Sequence, residues 1–400
     1  MKLGIIKERK TPPDTRVALI PWQCASLVNE YRNLEIVVEE YPERSYKSDE
    51  YLKKDIQIVN DLSDCDVIFG VKEIPVENLL PGKTYFFFSH TIKKQAHNRK
   101  LLQAILQKNI RIIDYECLRY PDDGRILGFG RFAGIVGAYN GLMAFGLRYK
   151  LFNLKPAYQC FDLKELEYEL TKVKLGPEKI LITGAGRVGH GILEVMKLAK
   201  IKKVNTSDFI TKNFKETVFA QVEFPEYNKH KEGKDFDEHE FREHPKNYES
   251  DFHKFLPETD ILIAGHFWAQ TAPKFFSRED MMQDSFNIKV IADISCDLDG
   301  PIPATIRSTI ITDPLFGYDP DTGKEIDAFN KDAVTVMAVD NLPCELPRDA
   351  SEDFGNHLMK DIIPLLIGGD KEGVLHNATI AEKGKLTAKY KYLQDYVDQK

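Results

Sequence analysis

One segment constrains the fold of this chain more than any other. Residues 179–191 read KILITGAGRVGHG: an apolar run passes straight into Gly184-x-Gly186-x-x-Gly189, and a helix, Ile192 to Ala199, follows. A strand, a glycine turn and a helix in that order give each glycine a physical task. Gly184 permits the tight turn, Gly186 lets backbone N–H groups approach a pyrophosphate, and Gly189 lets the helix lie close on the strand. The helix start adds partial positive charge, and Arg187 and Val188 complete the loop. The segment predicts a dinucleotide-binding Rossmann-like domain, against the plainer alternative of a strand–helix turn with no ligand. An acid about twenty residues further on binds the adenosine ribose and favours NAD. The second strand is expected to end in VNTSD (204–208), which makes Asp208 the candidate. Asn205, Thr206 and Ser207, with Lys212 nearby, suit a 2′-phosphate equally, so NAD and NADP both stay open.

A chain of 400 residues exceeds one ordinary domain, and two domains of about 200 residues fit the usual range. With 42% hydrophobic and 29% charged residues, it has the composition of a core-forming globular protein. The net charge of -7 argues against nucleic acid or an anionic membrane as partner. It leaves room for small anionic substrates held by a few local cations. No stretch approaches the ~20 apolar residues of a membrane span, and Met1–Lys10 meets charge too early for a signal peptide. Six scattered cysteines with no CxxC read as reduced structural thiols, and the expected location is the cytoplasm.

The first third alternates β-like and amphipathic helical runs. Strands are expected at Leu3–Ile6, Leu34–Val38, Asp66–Val71, Thr84–Ser89 and Ile110–Tyr115, with helices near Pro21–Tyr31, Ser48–Lys54 and Ala96–Gln107. Such alternation implies a largely parallel sheet with helices on both faces. A long apolar helix, Phe132–Tyr149, carries Gly134, Gly137, Gly141 and Gly146. Glycines weaken a helix, so something tight is expected against them. A second βαβ series starts at Lys179, with strands at Ile180–Thr183, Asp260–Ala264, Lys289–Asp293, Thr309–Ile311 and Val334–Val339. Helices are expected over Asp162–Lys172, Ala350–Ile367 and Ala388–Val397. Residues 212–254 look like a charged insertion with little apolar periodicity, longer than an ordinary loop, and so either functional or carrying short helices of its own.

Reactive residues collect at strand ends, where an open α/β sheet places its ligands. Lys72 ends DVIFGVKE, His90 ends YFFFSH and Glu116 ends IIDYE, while Lys10 and Arg16 lie in the loop after the first strand. A lysine of depressed pKa can exchange a proton with an amine, a histidine can shuttle protons near neutrality, and a carboxylate can tune both. Arg16 and Lys10 suit substrate carboxylates. Taken singly, each is more often a solvated or structural group; three neighbouring strand ends together point to carbonyl or imine chemistry. His230, His239, His244 and His253 lack metal-ligand spacing, so no metal site is expected.

These segments resemble a known family. GVKEIP (70–75), YFFFSHTIKKQ (85–95), RIIDYE (111–116), FGRFAGIVG (129–137), the EHPKNY stretch, ADIS (292–295), DNLPCELPRDASEDFG (340–355) and KYKYLQ (389–394) are similar to the lysine–2-oxoglutarate reductase part of aminoadipic semialdehyde synthases. The chain is similar, less closely, to lysine-forming saccharopine dehydrogenases and, more distantly, to alanine dehydrogenase, within the alanine dehydrogenase/pyridine nucleotide transhydrogenase superfamily. The resemblance implies an α/β fold of two Rossmann-like domains with parallel sheets and an interdomain active-site cleft. Residues 1–131, completed by 335–400, would form the substrate domain, and 132–334 the NAD(P)-binding domain. It implies NAD(P)H-dependent condensation of L-lysine and 2-oxoglutarate to saccharopine, or the reverse. Lys72 would accept the amine proton, His90 would serve imine formation and hydrolysis, and Glu116 would tune both. Lys10, Arg16, Lys93, Gln95 and Arg125 would hold substrate, and Asp340 would lie near the nicotinamide. The chain departs from the pattern at Val188, where the fungal enzyme has cysteine, and at Gly189, a glycine the synthases lack. Within these 400 residues the resemblance extends to the reductase part of the bifunctional synthases alone, so a single step is expected of them. The alternatives are an alanine dehydrogenase-like reaction with pyruvate and ammonia, or a silent NAD(P)-binding sensor.

Overall fold

The computed structural model describes residues 1–10 and 13–399. The chain divides into two compact units: Met1–Phe129 with the segment from Pro347 onward, and Gly130–Leu346.

The first unit is built on an eight-stranded sheet. Six parallel strands run β1 (Lys2–Ile5), β2 (Glu35–Glu39), β3 (Gln57–Val59), β4 (Val67–Phe69), β5 (Thr84–Phe87) and β6 (Arg111–Asp114). They lie in the order β3-β2-β1-β4-β5-β6, and a hairpin, Thr379–Glu382 with Lys385–Leu386, adds antiparallel beside β6. Runs such as VIF and TYFF are buried on both faces, which is why they read as continuously apolar. Helix α1 (Pro21–Glu30) begins with proline at its first position. Helix α2 (Arg99–Gln107) buries Leu101, Leu102, Ala104 and Ile105. Fully burying a leucine or isoleucine contributes about 1.5–3 kcal/mol. The strand order turns back between β1 and β4, and ligands bind beyond the carboxyl ends at such a point.

The second unit repeats the plan. Its strands are β7 (Lys179–Thr183), β8 (Lys202–Lys203), β9 (Val218–Val222), β10 (Ile261–Ala264), β11 (Val290–Asp293), β12 (Leu315–Asp319), β13 (Lys324–Ile326) and β14 (Val334–Met337). Their order is β13-β12-β14-β11-β10-β7-β9-β8, and only β12 runs against the rest, pairing antiparallel with β13 and β14. Helices α3 (Gly130–Tyr149) and α4 (Arg187–Leu198) cross at contact distance. A Cβ on Gly134 would stand 2.0 Å from the Val188 carbonyl oxygen, and one on Gly191 2.0 Å from that of Arg131. The tight neighbour expected for the glycine face of α3 is therefore α4 and, through Gly137 and Gly141, Ile294 and Ala292.

Several expectations are corrected. Residues 212–254 carry short helices, Phe224–Tyr227 and Glu238–Glu243, but they are more than an insertion: they also contain β9, the strand beside β7, and a small hairpin, Asn228–His230 with Tyr248–Ser250. VFAQV is short and flanked by charge, which hid its burial. VNTSD does not end a strand; β8 stops at Lys203 and Asp208 lies in the helix Thr206–Thr211. Thr309 and Ile310 make only isolated bridges. Ala350–Ile367 is broken by a π-turn at Leu358–Ile362, just before Pro364, which lacks the N–H a regular helix needs. Residues 388–393 form a 3-10 turn ahead of the short helix Gln394–Asp398. Among the described residues no helix is long and apolar enough to cross a membrane.

Candidate active site

In the first unit the reactive residues stand just past the carboxyl ends of β1, β4, β5 and β6. Buried carboxylates fix their loops. Glu8, after β1, accepts the backbone N–H groups of Val71 (2.7 Å) and Lys72 (2.9 Å). Asp114, at the end of β6, accepts the backbone N–H groups of Ser89 (3.0 Å) and Glu116 (2.7 Å), and also the Ser89 hydroxyl. One side chain therefore holds both the His90 loop and the Glu116 turn. His90 sits at φ +54, a left-handed conformation uncommon for a residue with a Cβ and frequent at functional sites.

The charges form a connected set. Lys72 is partly buried; burial, then the charges of Arg16 and Lys10, lower its pKa below the ordinary lysine value. Arg16 is buried and grips Asp14 with Nε (3.0 Å) and Nη2 (2.6 Å). Burial alone would raise the Asp14 pKa, but the Arg16 charge and hydrogen bonds outweigh it and lower it. Burial and the neighbouring Asp14 charge raise that of Glu8. His90 Nδ1 lies 3.5 Å from Glu73, and Lys10 Nζ 3.7 Å from the same carboxylate. Burial opposes ionisation of Glu73, yet the His90 hydrogen bond, a backbone amide and Lys10 bring its pKa down to about 2. Lys93 (3.3 Å) and Arg125 (4.0 Å) both face Glu116. An aromatic floor joins the groups: His90 stacks on Phe88, Arg125 lies over the same ring, and Arg16 lies over Phe129 at 4.1 Å. Gln95 is exposed beyond Lys93, its carbonyl held by the Tyr396 hydroxyl. Lys10, Arg16, Lys72, His90, Lys93, Glu116 and Arg125 are thus brought to one edge, with Gln95 at its margin.

In the second unit the glycine turn has the geometry its sequence calls for. Gly184 has φ +91, and a Cβ there would strike the backbone of Gly265 and His266 at 2.7 and 2.8 Å. Gly189 lies so close to the Gly184 carbonyl that a Cβ would approach it to 2.3 Å. Gly186, which caps α4, has nothing within 4 Å of its Cβ position. That open space beside the helix start, with Arg187, Val188 and Gly189 in the first turn, fits a pyrophosphate. Asp208 pairs with Lys212 at 2.8 Å on the helix behind the edge strand. The strand beside β7 is β9, and the acid at its end is Glu223. Asp340 is exposed past the end of β14, on the edge that also carries the glycine turn.

Models of the alanine dehydrogenase/PNT N-terminal and C-terminal domains match residues 4–136 and 167–393. The chain belongs to the alanine dehydrogenase/PNT family. It is 29% identical to the alpha-aminoadipic semialdehyde synthase of Arabidopsis thaliana over 98% of its own length but 41% of that protein. It is 25% identical to the saccharopine dehydrogenase [NAD(+), L-lysine-forming] of Candida glabrata, covering 94% of this chain and 97% of that one. The chain thus spans about two-fifths of the synthase and nearly all of the dehydrogenase. A solved L-alanine dehydrogenase superposes with a TM-score of 0.64 at 15% identity, over 100% of this chain and 99% of that one, which shows the shared two-domain Rossmann-like fold.

Glu8, Asp14, Glu73 and Asp114 were not singled out from the sequence. Glu73 and Asp114 lie in quoted motifs, Glu8 and Asp14 in the loop after the first strand, and Asp114 carried a usable signal: a carboxylate inside an apolar strand, RIIDYE, must find hydrogen-bond donors when buried. Glu223 was missed because β9 was.

Proposed function

We propose that this member of the family catalyses the reductive condensation of L-lysine with 2-oxoglutarate to saccharopine, or its reverse, with NAD as the preferred nucleotide. The observation that carries the reading is Lys72: an amine of lowered pKa, fixed at the turning point of a parallel sheet and surrounded by ion-paired carboxylates. The likeness to saccharopine dehydrogenases over nearly their whole length supports this choice of substrates.

In this reading the ε-amine of lysine adds to the ketone carbon, and the carbinolamine loses water to give an imine. A bound reduced nicotinamide supplies the hydride that turns the imine into a secondary amine. Lys72, more readily deprotonated at its lowered pKa, accepts the proton that the substrate ammonium must lose before it can attack. His90 donates to the carbinolamine oxygen as it leaves as water, with Glu73 orienting the ring and balancing its charge. Glu116 holds Lys93 and Arg125 toward the substrate carboxylates, with Lys10 and Gln95 beside them. Arg16, its fork on Asp14, acts first through its field on Lys72. Residues 184–189 would cradle the pyrophosphate, Glu223 rather than Asp208 would meet the adenosine ribose, and Asp340 would lie toward the nicotinamide. A carboxylate at Glu223 repels a 2′-phosphate, which favours NAD.

The test is NADH consumption by purified protein given lysine and 2-oxoglutarate together, against each alone and against pyruvate with ammonia. Turnover requiring both lysine and 2-oxoglutarate supports the reading. Turnover with pyruvate and ammonia instead overturns the substrate assignment.

A further inference from the structure

The loop that follows β2 buries a positive charge for which the described residues of the first unit supply no counter-ion. Arg44 is 1% exposed, among the largest side chains that the fold encloses. Neither its Nη1 nor its Nη2 has a hydrogen-bond partner among the described residues, and the Oγ of the next residue, Ser45, has none either. The backbone around these groups is fixed. The Arg44 N–H donates to the Tyr41 carbonyl at 3.2 Å and the Ser45 N–H to that of Thr15 at 2.9 Å, while Arg348 donates to the Ser45 carbonyl at 2.8 Å.

An arginine stays charged when buried, and an ion left uncompensated in the interior is strongly unfavourable. The neighbours do not compensate this one. The guanidinium lies 5.8 Å from the centroid of the Tyr41 ring and 5.9 Å from that of Tyr51, the outer limit of a cation–π contact. Burial raises the pKa of Cys24 to about 12 and that of Tyr51 well above the ordinary tyrosine value, with the Arg44 charge opposing it at both, so both groups are neutral near pH 7. The acids of the same stretch are engaged elsewhere: Glu39 with Arg9, Glu40 with the Ser48 hydroxyl, Glu43 with the Tyr41 hydroxyl and Glu50 with Arg348.

Buried polar atoms without partners are rare in native proteins, and three of them on two consecutive residues indicate a missing guest. Their chemistry narrows it. Two guanidinium arms that only donate, and one hydroxyl that donates as well as accepts, call for an acceptor that carries negative charge. A water molecule would satisfy the hydrogen bonds and leave the charge. Enclosure sets the size: Arg44 lies against Tyr51 and within the field of Cys24, both fully buried, so an anionic group borne on a larger molecule would have to bring its body into the core. A compact anion is what remains.

We propose that Arg44 and Ser45 seat a small inorganic anion, of which chloride is the type, as an internal counter-ion of the first unit. The seat is coupled to the reactive edge. Ser45 is bonded through its N–H to Thr15, the residue between Asp14 and Arg16, and through its carbonyl to Arg348 near the start of the helix Pro347–His357. The anion therefore neutralises Arg44 and steadies the loop that presents Arg16.

The test is the melting temperature of the whole protein at constant ionic strength, with chloride exchanged for gluconate, an anion too large to be enclosed. Chloride at ten times its dissociation constant should raise the melting temperature of the parent by about 3–6 °C. Arg44→Met should lose that response, and in gluconate it should melt no lower than the parent, because the variant removes a charge that gluconate cannot neutralise. If that variant misfolds, Ser45→Ala decides: it keeps the charge and should weaken chloride binding about 10-fold. A crystal soaked in bromide should show its anomalous peak in contact with Arg44 Nη and Ser45 Oγ. Equal melting of the parent in chloride and gluconate overturns the proposal, as does a chloride response that survives in Arg44→Met, or bromide found only elsewhere. It is also overturned if 2-oxoglutarate in gluconate, and not chloride, produces the Arg44-dependent rise, which would make Arg44 part of the substrate site.

Discussion

The three glycines of the turn separate folding from binding, and Gly186→Ala tests the separation. Gly186 has φ -75 and ψ -161, a backbone that alanine adopts without strain, and the added Cβ finds no atom within 4 Å. Replacing a glycine at such a position stabilises a fold by about 0.4–1 kcal/mol through the unfolded chain. For a unit of this size that is an increase of roughly 1–4 °C in melting temperature. The same methyl fills the space where backbone N–H groups would meet a pyrophosphate. Losing one hydrogen bond to a charged group costs about 1.5–3 kcal/mol, so NADH affinity should fall roughly 10- to 150-fold. Gly189→Ala is the control: its Cβ would come within 2.3 Å of the Gly184 carbonyl, and overpacking of that kind costs about 1–3 kcal/mol in stability. Differential scanning calorimetry and NADH titration read both quantities. The reasoning is refuted if Gly186→Ala melts lower than the parent, or binds NADH as tightly.

Three further outcomes are expected. Because the Lys72 pKa is lowered, kcat/KM in the condensing direction should rise through that lowered pKa and level off below the ordinary lysine value of 10.5; a profile still climbing there contradicts the assignment. Glu73 is held at about 2 against an ordinary glutamate value of 4.5, so its ion pairs stabilise the fold above about pH 4.5 and are lost as pH falls toward 2. Glu73→Gln should flatten that part of the acid-unfolding curve and lower kcat about 10-fold or more; unchanged acid unfolding and turnover would dismiss both roles. Glu345 is buried, held by Asn140, and raised to about 8, so stability falls as pH climbs from about 4.5 to 8; Glu345→Gln should melt higher than the parent at pH 8 and above, and an equal or lower melting point there removes the argument.

The sheets were legible where apolar runs are long and the connections short. KILITGAG and its helix, and the strands that end near Lys72, His90 and Glu116, announce themselves through periodicity and punctuation. Strand β9 did not: VFAQV is five residues between charged runs, and its place beside β7 comes from pairing across the sheet, which no local pattern encodes. The crossover from β7 to the edge strand and back to β9 moves the candidate for a ribose-binding acid from Asp208 to Glu223. The cations of the site were readable as residues at strand ends. Their partners were not, because Glu8 reaches the Lys72 loop, and Asp114 the His90 loop, only through long-range packing.

The central claim is that Lys72 is the proton acceptor of a lysine-dependent reduction, and the most direct measurement compares the parent with Lys72→Met. NADH oxidation should require lysine and 2-oxoglutarate together in the parent and be lost in the variant, while NADH affinity stays within a few-fold, since Lys72 and the glycine turn belong to different units. Near-normal turnover in Lys72→Met, or parent turnover indifferent to lysine, would contradict the claim.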